Sequence, residues 1–178
     1  MVHAPADPDA KEARFRAVFD EEFDYVWASL RRLGVHERDL EDVAQDVFVQ
    51  VHRRFETYDP ARPIRPWLFA FAVRCASDWR RLARHREVLI EREAVAGQPD
   101  AEELVVRRQE AELVLRALDC VDLERRAVLV LHEFDGCTMN EIADALGVPL
   151  FTGYSRLRVA REEFAEAVHR LKRERGRR

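Results

Sequence analysis

Phe151, Thr152, Tyr154, Ser155, Arg156 and Arg158 gather in one short segment of this 178-residue chain. Hydroxyls, guanidinium groups and an aromatic ring on one helix face can meet base edges and phosphate oxygens. A second set is Arg74, Asp78, Trp79, Arg80, Arg81 and Arg84, followed by Arg86 and interleaved with Trp67, Phe69 and Phe71. Cations at that density suit phosphates, and rings between them can stack on exposed bases. Trp67 and Phe71 fit a simpler role as core residues. A third set is acidic: Glu41, Asp42, Gln45 and Asp46. The helix dipole favours acids in a first turn by about 0.3–1 kcal/mol each, which accounts for Glu41 and Asp42. Asp46 lies too far along for that explanation, so this face is a candidate surface for a basic partner.

The first set needs two helices to position it. In TMNEIADALGVPLFTGYSRLRVARE, Ile142 and Leu146 share one face of a helix, and Gly147 ends it. Pro149 suits the first turn of the next helix. Leu157, Ala160, Phe164, Val168 and Leu171 then recur at three- and four-residue spacing as a buried stripe. The opposite face holds Phe151, Thr152, Ser155, Arg158 and Val159. Helix, tight turn and helix form the pattern of a helix-turn-helix, although two helices can also meet this way in a bundle corner.

Upstream, Phe15, Val18, Phe19, Val26, Trp27, Leu30 and Leu33 stripe a first helix ending near Gly34. Asp39 is the expected N-cap of a second, striped by Leu40, Val43, Ala44, Val47, Val51 and Phe55. A turn follows at Tyr58–Pro63, and Pro66 is the expected opening of a third helix carrying the basic and aromatic set. Glu93–Asp100 reads as a linker, and helical periodicity resumes at Glu102. Six glycines and no sustained alternation predict an all-α fold of two small helical modules, the second ending in the helix-turn-helix. The expected boundaries are 10–92, a linker over 93–109, and 110–174.

The net charge of −4 would argue against nucleic acid, but its distribution does not. Residues 1–60 carry net −6 and residues 61–92 carry +5. Residues 93–153 carry −8 and residues 154–178 carry +5. Each acidic module ends in a basic segment, which suggests two phosphate-facing surfaces. No apolar run approaches the ~20 residues of a membrane span, so no membrane insertion is expected. The N-terminal MVHAPADPDAKEA lacks a signal-peptide core, which predicts a cytoplasmic protein. Cys75, Cys120 and Cys137 are scattered, so reduced thiols and no metal or cofactor are expected. The six histidines are dispersed, and none sits beside a Ser or Cys with an orienting acid. No enzymatic activity is expected.

Two stretches together resemble a known family. DLEDVAQDVFVQVHRRFETYDPARPIRPWLFAFAV is similar to region two of the extracytoplasmic-function (ECF) sigma factors of bacterial RNA polymerase. ALDCVDLERRAVLVLHEFDG through EIADALGVPLFTGYSRLRVARE is similar to their region four. The resemblance implies promoter DNA and core RNA polymerase as partners, with an anti-sigma factor as a further one. It implies core docking through Glu41, Asp42, Gln45 and Asp46. It implies that Arg74, Asp78, Trp79, Arg80, Arg81 and Arg84 melt and hold the minus-ten element. The helix bearing Phe151, Thr152, Tyr154, Ser155, Arg156 and Arg158 would read the minus-thirty-five element. Arg74 stands where the family often has Asn, and Phe151-Thr152-Gly153-Tyr154 replaces its usual Gly-Thr-Val and a cation. A stand-alone helix-turn-helix regulator would share region four but has no need of the acidic helix or the Trp-Arg segment.

Overall fold

A computed structural model describes residues 8–87 and 102–177. Every regular element among them is helical. The first three helices are α1 (Pro8–Arg32), α2 (Leu40–Arg54) and α3 (Ile64–Glu87). Then follow α4 (Glu102–Asp119), α5 (Leu123–Glu133), α6 (Met139–Leu146) and α7 (Leu150–Arg175). No helix among the described residues is long and apolar enough to cross a membrane.

The first three helices pack on one another because each carries one apolar stripe. α2 buries Leu40, Val43, Ala44, Val47, Phe48 and Val51, and α3 buries Leu68, Phe69, Ala72, Cys75 and Ala76. The α3 helix begins at Ile64, so Pro66 sits inside its first turn rather than opening it. A proline is tolerated there because its missing N–H would have no intrahelical partner. Residues 102–109 of the expected linker are helical, while 88–101 lie outside the described residues.

The second module is built around α5, whose Ala127, Val128, Leu129, Val130 and Leu131 are all buried. An amphipathic surface helix would alternate exposure over such a run; one buried on every side sits at a centre. α6 and α7 cover one flank of α5, and α3 of the first module covers another. The two modules therefore share one continuous apolar core.

A buried arginine anchors this junction. Arg126 is fully buried, and its Nε and Nη2 donate to the Val121 carbonyl at 3.2 and 3.0 Å. Its Nη1 donates to Asp119 Oδ1 at 2.8 Å, so the guanidinium ties up the α4–α5 turn. Burial, then the nearby Arg80 charge, bring Arg126 down to about 10, where it is still a cation at neutral pH. Gly34, at the end of α1, lies directly on this group with φ of 88°. A Cβ there would collide with the guanidinium and stand 2.6 Å from Asp119 Oδ1. Both the backbone conformation and the close approach require glycine.

Candidate nucleic-acid and partner interfaces

The helix-turn-helix is fixed by local chemistry at both ends of α6. Thr138 Oγ1 accepts from the Glu141 N–H, while Glu141 Oε2 accepts from the Thr138 N–H at 2.7 Å. This reciprocal capping box satisfies two donors that the helix start would otherwise leave open. The Thr138 bonds also hold the Glu141 carboxyl below its usual range. Gly147 closes α6 in the left-handed conformation, φ 65° and ψ 37°. Pro149 is the N-cap of α7, one residue earlier than its expected place in the first turn.

Gly153 is where α6 and α7 cross. It is buried, and a Cβ on it would stand 2.6 Å from Met139 Sδ. Glycine inside a helix costs about 1 kcal/mol relative to alanine, and here the Met139 thioether takes the space that a larger side chain would fill.

Facing outward from this crossing is a stripe of Phe151, Tyr154, Ser155 and Arg158, at positions i, i+3, i+4 and i+7 of one helix face. Phe151 is 83% exposed and Tyr154 58%. Thr152 is half-buried at the edge of the stripe. Arg156 turns away from it and pairs with Glu124 on α5. Arg158 pairs with Glu162 at 2.7 Å, both exposed, and Arg161 pairs with Glu133. Exposed pairs of this kind are worth about 0–1 kcal/mol, so Arg158 can change partner readily.

The basic and aromatic residues of α3 are divided differently. Phe69, offered by its sequence position as a base-stacking ring, is fully buried and belongs to the core. Phe71 is buried as well, and Trp67 is half-buried between Tyr58 and Phe71, at 5.0 and 4.9 Å between ring centroids. Trp79 Nε1 donates to Asp39 Oδ2 at 3.1 Å, and its ring edge meets His36. Asp39 is the N-cap residue of α2, as its position predicts, but its side chain makes no cap bond and its carboxylate accepts from Trp79. Arg80 is half-buried and close enough to Arg126 to perturb its ionisation. Arg81 pairs with Asp78 at 3.1 Å, both exposed. The side chains of Arg84 and Arg86 lie outside the described residues.

Arg74 sits over the Phe71 ring at 4.6 Å, on the wall of a cleft of about 760 Å³. Arg54, Tyr58, Trp67 and Phe71 continue that wall, and α6 closes the other side with Glu141 and Asp144. Partial burial and the neighbouring Arg54 lower the Arg74 guanidinium. Two cations beside aromatic faces make this wall attractive to an anion. In the structure it is the α6 carboxylates that stand opposite, with Arg62 Nη1 3.5 Å from Asp144 Oδ2.

The acidic set is a separate, open surface. Glu41, Asp42, Gln45 and Asp46 are all exposed along α2, and none has an ion-pair partner among the described residues. Val49 extends the same face and is also exposed. A helix face of unpaired carboxylates with an apolar edge fits a basic protein partner better than a nucleic acid. Among the described residues there is no group of three or more His, Cys, Asp or Glu placed to hold a metal ion.

Sequence reading missed the contacts that lock the modules together. The Tyr25 hydroxyl donates to Asp135 Oδ2 at 2.7 Å, and Arg32 Nη1 approaches the other Asp135 oxygen at 3.8 Å. Arg32 also lies over the Phe134 ring, and Arg65 over Tyr25 while bound to Glu22. Burial, then Asp135, push the Tyr25 phenol far above its usual value. Asp135 is itself raised by burial, with Tyr25, Arg32 and Arg65 opposing that shift. These partners are up to 110 residues apart, so no local pattern could have joined them.

Known proteins share this arrangement. The family pattern of sigma-70 region 2 matches residues 18–86, and that of sigma-70 region 4 matches residues 111–164. The ECF RNA polymerase sigma factor SigL of Mycobacterium tuberculosis is 32% identical over 163 residues, covering 90% of this chain and 92% of its own length. The RNA polymerase sigma factor NccH of Alcaligenes xylosoxydans is 31% identical over 137 residues, covering 74% of each. In fold, the chain is similar to the sigma factor RpoE of Bartonella quintana, solved in complex with the anti-sigma factor NepR. That likeness has a TM-score of 0.67 at 19% identity, over 88% of this chain and 97% of the other.

Proposed function

The chain belongs to the extracytoplasmic-function subfamily of bacterial RNA polymerase sigma factors, and from that premise we propose how its surfaces share the work. It is an alternative sigma factor: it binds core polymerase and directs promoter-specific initiation. Residues 10–92 act as the core-binding and minus-ten module, and 110–174 as the minus-thirty-five module. Glu41, Asp42, Gln45 and Asp46 dock on a basic face of the polymerase. Arg74, Asp78, Trp79, Arg80, Arg81 and Arg84 meet the melted minus-ten strand. Phe151, Thr152, Tyr154, Ser155, Arg156 and Arg158 supply the readout of the minus-thirty-five duplex. The chain performs no bond chemistry of its own, acts in the cytoplasm, and is held in check by an anti-sigma factor.

The observation that carries this reading is the open acidic face of α2. Glu41, Asp42 and Asp46 stand exposed on it beside Gln45, and none of the three carboxylates has an ion-pair partner among the described residues. The cleft adds a physical condition. A melted strand needs the Arg54–Arg74 wall, and α6 stands over that wall with Glu141 and Asp144. Strand contact at Arg74, the member of the minus-ten set that lines this cleft, therefore competes with α6, and separation of α6 from α3 opens it fully.

Co-elution with core polymerase tests the central assignment. The wild-type chain co-elutes, whereas Asp46→Arg, at an exposed position, does not, with its helical circular dichroism unchanged. Normal core binding by Asp46→Arg would remove the docking role from this face.

A further inference from the structure

The N-terminal turn of α7 departs from an ordinary DNA-reading surface in a way that points to a specific chemical feature of the base pair. Its outermost groups are apolar or aromatic: Leu150, Phe151 and Tyr154 are all exposed, Phe151 almost fully. The cations nearest to them are accounted for. Arg156 points to Glu124 on α5, and Arg161 to Glu133. Arg158 is the one guanidinium on the stripe itself, two turns further along. The first turn of a helix in this position enters the major groove first and meets base edges. An apolar ring there finds its best complement in the C5 methyl of thymine, the only methyl group among the four bases in the major groove.

We propose that Phe151, flanked by Tyr154, contacts a thymine methyl in the minus-thirty-five element and makes that thymine a specificity position for this sigma factor. The contact deepens the region-four reading and rests on it. Gly153 makes the presentation possible. Its missing side chain lets α7 lie directly on Met139, which fixes the rotation of the helix and turns Phe151 and Tyr154 outward together. Ser155 and Arg158, on the same stripe, are left for polar base edges and phosphate. The reading is therefore divided along the helix, apolar at its start and polar one to two turns on.

The test uses the chain bound to core polymerase, on promoters recovered by run-off transcription from genomic fragments. Each thymine of the minus-thirty-five element is replaced in turn by deoxyuridine, which removes only the methyl. At one thymine the wild-type holoenzyme should lose about fourfold in affinity, the worth of one buried methyl group. Phe151→Ala, at an exposed helix position that tolerates alanine, should bind the thymine and deoxyuridine promoters equally. Indifference of the wild-type holoenzyme to every deoxyuridine overturns the proposal and hands the apolar patch to a protein partner. A methyl penalty that persists in Phe151→Ala overturns it also. If no specific initiation occurs with core polymerase on any fragment, the sigma reading fails, and this proposal fails with it.

Discussion

The two regions proposed to meet DNA differ in how far the fold covers them. The α7 stripe of Phe151, Tyr154, Ser155 and Arg158 is open, and its geometry is set by the capping box at Thr138, the turn at Gly147 and the crossing at Gly153. The α3 segment is partly folded into the molecule, with Asp78 and Arg81 left exposed. Trp79 is bound to Asp39, Arg80 is half-buried, and the Arg54–Arg74 wall lies under α6. Duplex readout needs a rigid helix end, which can be complete before DNA arrives. Capture of an unstacked strand needs cations and rings that would bind other anions if left open. A surface of that second kind is safer covered, and here the covering groups are the carboxylates of the other DNA-binding module.

That contrast can be broken most strongly at Gly34. Alanine there has to adopt a positive φ and displace Arg126 and Asp119, which should destabilise the chain by about 2–4 kcal/mol. Thermal unfolding measures the loss, and a transition as high as that of the wild type would show that the α1–α4 junction is not under this constraint.

A milder change should separate the two surfaces without unfolding either. Asp135→Ala removes the acceptor of Tyr25 and the counter-charge of Arg32. A hydrogen bond to a charged group contributes about 1.5–3 kcal/mol, and that much inter-module stability should be lost. Small-angle scattering should then show a more extended chain. The free protein should bind a minus-ten single strand more tightly, while its affinity for minus-thirty-five duplex stays constant. If both affinities rise together, the cleft is not what α6 covers.

Arg158→Ala tests the open side. It should weaken minus-thirty-five binding by the holoenzyme by about 1–3 kcal/mol and leave single-strand binding unchanged. Equal losses at both elements would show that Arg158 acts through general charge rather than readout.

The smallest effect concerns the cap of α6. Because Thr138 lowers the Glu141 carboxyl, the folded state holds this proton less tightly than the unfolded chain does. That contribution is complete above the ordinary value of 4.5 and fades as pH falls through the lower folded value. Melting temperature should fall over that acid range, and Glu141→Gln should remove that part of the slope. A slope identical to wild type in the variant would detach the cap from the acid response.

Much of this architecture was legible in the sequence because it is locally determined. The stripes of α1, α2 and α7 and the stop at Gly147 follow from three- and four-residue spacing and from one residue's conformational freedom. The Thr138–Glu141 capping box, a four-residue signature that fixes the start of α6, is equally local but was not read from the sequence. The corrections at Pro66, Pro149 and residues 102–109 only shift element boundaries, whereas the larger ones involve distant partners. Asp39 looks like a side-chain cap until Trp79, forty residues on, takes its carboxylate. Phe69 looks available for stacking until the packing of α1 and α2 encloses it. Gly153 departs from the family pattern, and the packing behind that departure appears only with Met139 against it. The shared core and the Tyr25–Asp135 contact leave no periodic trace at all, because their members meet only when the modules close.

Run-off transcription with core polymerase on genomic fragments tests the central claim most directly. Discrete transcripts should appear only when chain and core enzyme are both present, and should be lost with Asp46→Arg. Specific duplex binding by the chain alone, with no transcript when core polymerase is added, would contradict that claim and leave a stand-alone helix-turn-helix regulator in its place.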